Sequence, residues 1–261
     1  MNRIAATVGS LGKRKLLVPF FTAGYPDFHS SLELVRIARD CGADIVELGI
    51  PFSDPLADGP EIQHSSKVAL DNGVHLGKIL QGVQTLRQTV AFPLILMGYY
   101  NPVLVYGQSR LLARARRCGV DGFIIPDLPV EDGASFAEDA RARGLSLVFL
   151  VAPTSTTERI ALIDSRSCDL VYAVTVTGVT GTGKKFDTAT DRYLKRLRDK
   201  LSKPFVAGFG VSSPETAQRL CRFADGVVIG SALVKIMREA KNKPALFRQV
   251  GRFLSTVRKA I

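Results

Sequence analysis

Residues 41–59 read Cys-Gly-Ala-Asp-Ile-Val-Glu-Leu-Gly-Ile-Pro-Phe-Ser-Asp-Pro-Leu-Ala-Asp-Gly. The stretch opens as a helix exit, with Gly42 suited to the turn after a last helical residue. Ile45–Gly49 follows, an apolar run too short for a buried helix and broken by one carboxylate, Glu47. A loop stiffened by Pro51, Pro55 and Pro60 then carries Asp54 and Asp58. The same exit-turn-strand phrase recurs at Cys118–Asp121.

Outward from this unit, similar apolar runs recur at Leu16–Phe21, Pro93–Met97, Gly122–Ile125, Ser146–Leu150, Leu170–Val174, Pro204–Ala207 and Gly226–Ile229. With Ile45–Gly49 they make eight, mostly rich in Val, Ile, Leu or Phe, as strands buried on both faces are. Amphipathic stretches lie between them: Ser30–Cys41, Leu111–Cys118, Glu131–Arg143, Thr157–Ser165, Tyr193–Lys200 and Pro214–Phe223, the last with Ser212 and Ser213 as N-cap candidates. Eight strand-helix alternations in 261 residues, with no linker or composition shift, predict one closed (β/α)8 barrel of the TIM type over 1–261, with an extra N-terminal helix. An open doubly wound sheet ranks second.

Bulk properties narrow the class. The chain is 46% hydrophobic and 23% charged, as expected of a globular protein with a sizeable core. No window approaches the roughly 20 apolar residues of a membrane span. Lys13-Arg14-Lys15 precedes an apolar run, but Pro19 and the lack of a small-residue cleavage site favour a strand over a signal peptide. Cytoplasmic residence is expected, or the plastid stroma if a transit peptide has been removed. The four cysteines and three histidines are dispersed without a C-x-x-C pair, so neither a disulfide framework nor a metal site is expected. The net charge of +11 is spread along helical stretches without interleaved aromatics, which reads as solvated helix faces and not as a nucleic-acid surface.

In such barrels chemistry sits at the C-terminal ends of the strands. A carboxylate inside a doubly buried strand is costly unless paired or used, and none of the eight runs carries a Lys or Arg to pair with Glu47. Alternation points Glu47 inward if Val46 and Leu48 face the helices, and desolvation would suit it to proton transfer near neutral pH. Asp54 and Asp58 alone would be turn formers; their place directly after the Glu47 strand makes them candidates. Gly178–Gly183, Gly208–Gly210 and Gly230-Ser231 end the last three strands, and a helix starting at Ser231 would aim its positive end at a phosphate. Gly178–Lys184 imitates a P-loop, but Lys185 stands where Ser or Thr would be needed. Gly208-Phe209-Gly210 likewise lacks the third glycine of a dinucleotide fingerprint.

The segment Val46–Gly59 closely resembles the signature of the tryptophan synthase alpha family. The resemblance continues through Val18-Pro19-Phe20, Leu96-Met97, Tyr99–Pro102, Pro126–Pro129, Gly178–Gly181, Gly208–Gly210 and Gly230–Ala232, nearly the whole chain in order. It implies a carbon-carbon lyase without a cofactor, cleaving indole-3-glycerol phosphate in tryptophan biosynthesis. By the family pattern Glu47 is the general acid/base and Asp58 accepts a hydrogen bond from the indole N–H. Phe20, Leu96, Tyr99, Leu128 and Tyr172 would line the indole pocket; Gly181, Phe209, Gly210, Gly230 and Ser231 would seat the phosphate end. Asp127 and Thr180 would order loops, and the Pro51–Asp54 region would meet a PLP-dependent beta subunit in an alpha2beta2 assembly. The loops Asp54–Asp58 and Gly178–Lys185 would close over substrate. A stand-alone lyase releasing indole, or a silent barrel that only activates a beta subunit, are the alternatives.

Overall fold

The computed structural model describes residues 2–175, 188–208 and 210–261. Every apolar run becomes a strand: β1 Leu16–Thr22, β2 Val46–Gly49, β3 Leu94–Met97, β4 Gly122–Ile124, β5 Ser146–Val148, β6 Leu150–Val151, β7 Val171–Val174, β8 Phe205–Gly208 and β9 Gly226–Ile229. The fifth run is split at Phe149 into β5 and β6. All pairings are parallel, in the order β5-β4-β3-β2-β1-β9-β8-β7-β6. The first strand pairs with the last, and the two edges of the sheet are consecutive pieces of one run. Phe149 itself, between the two pieces, accepts at its O from Tyr172 N of β7 at 3.0 Å, so the pairing with β7 continues into the split. The sheet is therefore a barrel, and the doubly wound alternative is excluded.

Register decides which side chains enter the barrel. Phe20, Glu47 and Ile95 are partners across β1, β2 and β3, so they share one face. Phe21, Leu48 and Leu96 share the other face, towards the helices. β1 is buried along its whole length, which is why its sequence shows no polar alternation.

The aspartates at the strand feet have a common job at the opposite end from the chemistry. Asp44 accepts from Leu17 N at 2.8 Å, Asp121 from Leu94 N at 2.9 Å and Asp225 from Phe205 N at 3.0 Å. Each thus ties its strand to the preceding one in the barrel. Asp121 is also paired with Arg87 and Arg3. Removing one partner from a buried pair of this kind typically costs about 3–5 kcal/mol. The expected N-terminal helix is present as Arg3–Gly9. Its Ile4 is fully buried against the foot of β4, and Asn2 donates to Ser146 Oγ at 2.8 Å and Asp121 O at 2.9 Å.

The expected helices appear with shifted ends, among them Phe28–Asp40, Gln108–Cys118 and Pro214–Leu220, whose N-cap is Ser213. Several more were not read from periodicity, including Pro60–Asp71, Leu76–Leu86, Tyr100–Tyr106 and Lys243–Ala260. Pro60–Asp71 buries Ser65, Ser66 and Ala69 beside Ile62, so its core face carries little apolar signal. No helix among the described residues is long and apolar enough to cross a membrane.

Candidate active site

Glu47 lies in β2 and is 1% exposed. Its Oε2 has no hydrogen-bond partner among the described residues, and burial pushes its pKa up to about 8. At neutral pH it is therefore mainly a carboxylic acid with a proton to give. It opens into a cleft of about 430 Å³ at the C-terminal end of the barrel, shared with Phe20, Asp58 and Tyr172.

Asp58 reaches this cleft from the loop after β2, held by a turn in which its N–H donates to Pro55 O at 3.0 Å. Tyr99 Oη donates to Asp58 Oδ2 at 3.1 Å and accepts from Ala57 N at 2.9 Å, so one phenol fixes both the carboxylate and its loop. Phe52 lies against the Tyr99 ring with centroids 5.2 Å apart. Burial raises the Asp58 pKa to about 6 and the Tyr99 hydrogen bond opposes that rise. The two carboxyl groups thus divide at pH 7: Glu47 mainly protonated, Asp58 mainly ionised. Such a split assigns acid and anion roles within one site.

Two glycines make room for the cleft's rings. A Cβ on Gly49 would stand 2.4 Å from Phe20 Cζ, and one on Gly208 would stand 2.1 Å from Tyr172 Oη. At the other end, Gly210 holds φ 83°, a left-handed conformation that favours glycine. Gly210, Gly230 and Ser231 line the cleft together, and the helix Ser231–Glu239 begins there. First-turn N–H groups and the helix dipole suit that corner to an anion.

Thr180, Gly181 and Phe209 lie outside the described residues, as does the Gly178–Lys185 loop. Tyr99 lines an adjoining cavity of about 300 Å³, which shares Phe20, Asp58, Ile62 and Met97 with the first. Leu96 and Leu128 are buried but line neither cavity. The reason for Leu96 is register: it pairs with Leu48 on the helix-facing side, and Met97, opposite Gly49, turns inward in its place. Pro51 is buried beneath the loop and Asp54 is exposed, both away from the cleft lining. Asp127 accepts from Tyr100 N at 2.9 Å and so steadies the Asp58 loop only through the neighbouring Tyr99. Sequence reading passed over Ile62, Met97, Val211 and Val228, all in the cleft. Met97 and Val228 enter the barrel by register, opposite Gly49 and Val18, which alternate within their own strands with the inward-facing Glu47 and Phe20.

Residues 10–260 match the family model described as tryptophan synthase alpha chain. The tryptophan synthase alpha chain of Geobacter sulfurreducens is 44% identical, covering 100% of this chain and 99% of the relative. That of Thermoanaerobacter sp. strain X514 is 42% identical over 95% of this chain and 94% of its own length. Among solved structures, the tryptophan synthase alpha chain of Legionella pneumophila superposes with a TM-score of 0.91 at 35% identity, covering 100% and 97% of the two chains. A chain from the tryptophan synthase a2b2 complex of Pyrococcus furiosus gives a TM-score of 0.84 at 38% identity, covering 93% and 97%. With a barrel of the same shape and a full-length match at this identity, the chain belongs to the tryptophan synthase alpha chain family.

Proposed function

We propose that this protein cleaves indole-3-glycerol phosphate to indole and glyceraldehyde 3-phosphate by a retro-aldol step, as the alpha subunit of a tryptophan synthase. The observation that carries the reading is the opposed pair of carboxyl groups in one cleft with an anion-suited helix start. Glu47, protonated at neutral pH, gives its proton to indole C3. Asp58, ionised, accepts from the indole N–H and stabilises the positive charge that develops on the ring. The C3–C3′ bond then breaks as the Glu47 carboxylate takes the proton of the C3′ hydroxyl, which restores the acid. Phe20 and Tyr172 bound the apolar part of the cleft; Gly210, Gly230 and Ser231 seat the phosphate. The test is release of glyceraldehyde 3-phosphate from indole-3-glycerol phosphate by the purified chain with a beta subunit. No release would overturn the reading. Neither the stand-alone nor the silent alternative is favoured by any observation of the site.

Tyr99→Phe is expected to keep the ring but remove the hydrogen bond that favours ionised Asp58. The acid limb of the kcat/KM profile should move up by roughly one pH unit. An unmoved limb would separate Tyr99 from the state of Asp58.

A beta subunit is the partner in this reading, in an alpha2beta2 assembly. Support comes from apolar side chains left in water beyond two adjacent strands: Leu56, on the loop after β2, is 88% exposed, and Leu104 and Val105, on the helix Tyr100–Tyr106 after β3, are 55% and 81% exposed. Val105→Asp should weaken association with a beta subunit by about 10-fold or more, measured by calorimetry, while leaving the fold intact. Four free thiols agree with our placing the protein in the cytoplasm.

A further inference from the structure

Two neighbouring helices, packed on each other and on β1, each contribute to the cleft lining. Pro60–Asp71 follows Asp58 directly and brings Ile62 into the lining; Ser231–Glu239 starts at the proposed phosphate seat. An ion pair crosses their packing. Glu61 Oε1 meets Arg238 Nη2 at 3.0 Å, with side chains 17% and 44% exposed. The other Glu61 oxygen is buried without a hydrogen-bond partner among the described residues, so the Arg238 contact is what compensates a mostly desolvated carboxyl group. Tyr25 packs at the same junction, its ring against His64 of the first helix with centroids 5.8 Å apart. Burial raises the Tyr25 pKa, Arg238 opposes the rise and Glu61 adds to it, which places the phenol within reach of both charges.

An exposed ion pair is worth little, about 0–1 kcal/mol. This one differs in where its ends are attached. Glu61 stands three residues beyond Asp58 on a helix entered through Pro60. Arg238 sits in the last turn of Ser231–Glu239, about 10 Å along a rigid rod from Ser231. The pair therefore ties the helix that follows Asp58 to the helix that starts at the phosphate seat, from outside the cleft lining.

We infer that Glu61 and Arg238 are positioning residues, a strut that sets the spacing between Asp58 and the phosphate seat and so matches the cleft to the length of a ring-to-phosphate substrate. The inference rests on the proposed reaction. A substrate tethered at both ends gains from a fixed spacing, because binding one end presents the other at high effective concentration. Each end bound separately gains nothing from it.

That difference supplies the test, on the full chain with its beta subunit. For Glu61→Gln, the Kd values of free indole and of glycerol phosphate should stay within about twofold of wild type, whereas KM for indole-3-glycerol phosphate should rise about five- to tenfold. The charge-exchanged double variant, Glu61→Lys with Arg238→Glu, should recover most of the loss. Should Glu61→Gln fail to fold, Arg238→Gln is read by the same three measurements. An unchanged KM would overturn the strut, and so would fragment Kd values that worsen as much as KM, since the pair would then only support local packing. Wild-type protein unable to cleave the substrate would instead sink the reaction assigned above, whereas active wild type beside an indifferent variant sinks the strut alone.

Discussion

Glu47→Gln should lower kcat for indole-3-glycerol phosphate cleavage by about 1,000-fold, within the range general acid-base groups supply, while leaving substrate Kd within a few-fold of wild type. The amide keeps the size and buried position of the side chain but has no proton of suitable acidity to give. Single-turnover cleavage with a separate binding measurement checks this; a variant retaining wild-type kcat would remove Glu47 from proton transfer. The pKa of about 8 also makes a stability prediction. A carboxyl group whose folded pKa lies above its unfolded value binds more protons in the folded state. Its contribution is therefore present below the unfolded value, near 4.5, and is lost as pH rises through about 8. Gln carries no such penalty. The variant's Tm should exceed that of wild type at pH 9, and the gap should close towards pH 4. A constant gap across that range would contradict the raised pKa.

Asp58→Asn should cost about 100- to 1,000-fold in kcat, the scale of losing one preorganised electrostatic contact to a charged transition state. The isosteric amide keeps an oxygen for the indole N–H but not the negative charge that stabilises the protonated ring. The pH dependence separates the two carboxyl groups. Wild-type kcat/KM should rise with pH through about 6 as Asp58 ionises and fall through about 8 as Glu47 loses its proton. In Asp58→Asn the acid limb should vanish while the alkaline limb stays. Survival of both limbs would assign the lower one to the substrate phosphate instead.

Legibility from sequence tracked how local each signal was. The strands could be placed because a doubly buried strand needs a continuous apolar run, which is visible in a handful of residues. Glu47 stood out for the same reason, as a carboxyl group where none is cheap. The helix Pro60–Asp71 escaped because its buried face is built from Ser65, Ser66 and Ala69, whose fit is set by what they pack against. Its Ile62 escaped with it.

Residues 41–59 alone carried the turn, the strand, the stiff loop and the placement of Glu47 and Asp58 one after the other, because these follow from short-range sterics and hydrophobicity. Folding settled matters that depend on partners distant in the chain. Pairing across β2 and β3 turns Met97 inward and Leu96 out. Tyr99, from beyond β3, grips Asp58. Burial among neighbouring strands raises Glu47 to a pKa near 8. Arg238, near the other end of the chain, meets Glu61. Register, burial and distance are properties of the closed barrel, and no local run of residues contains them.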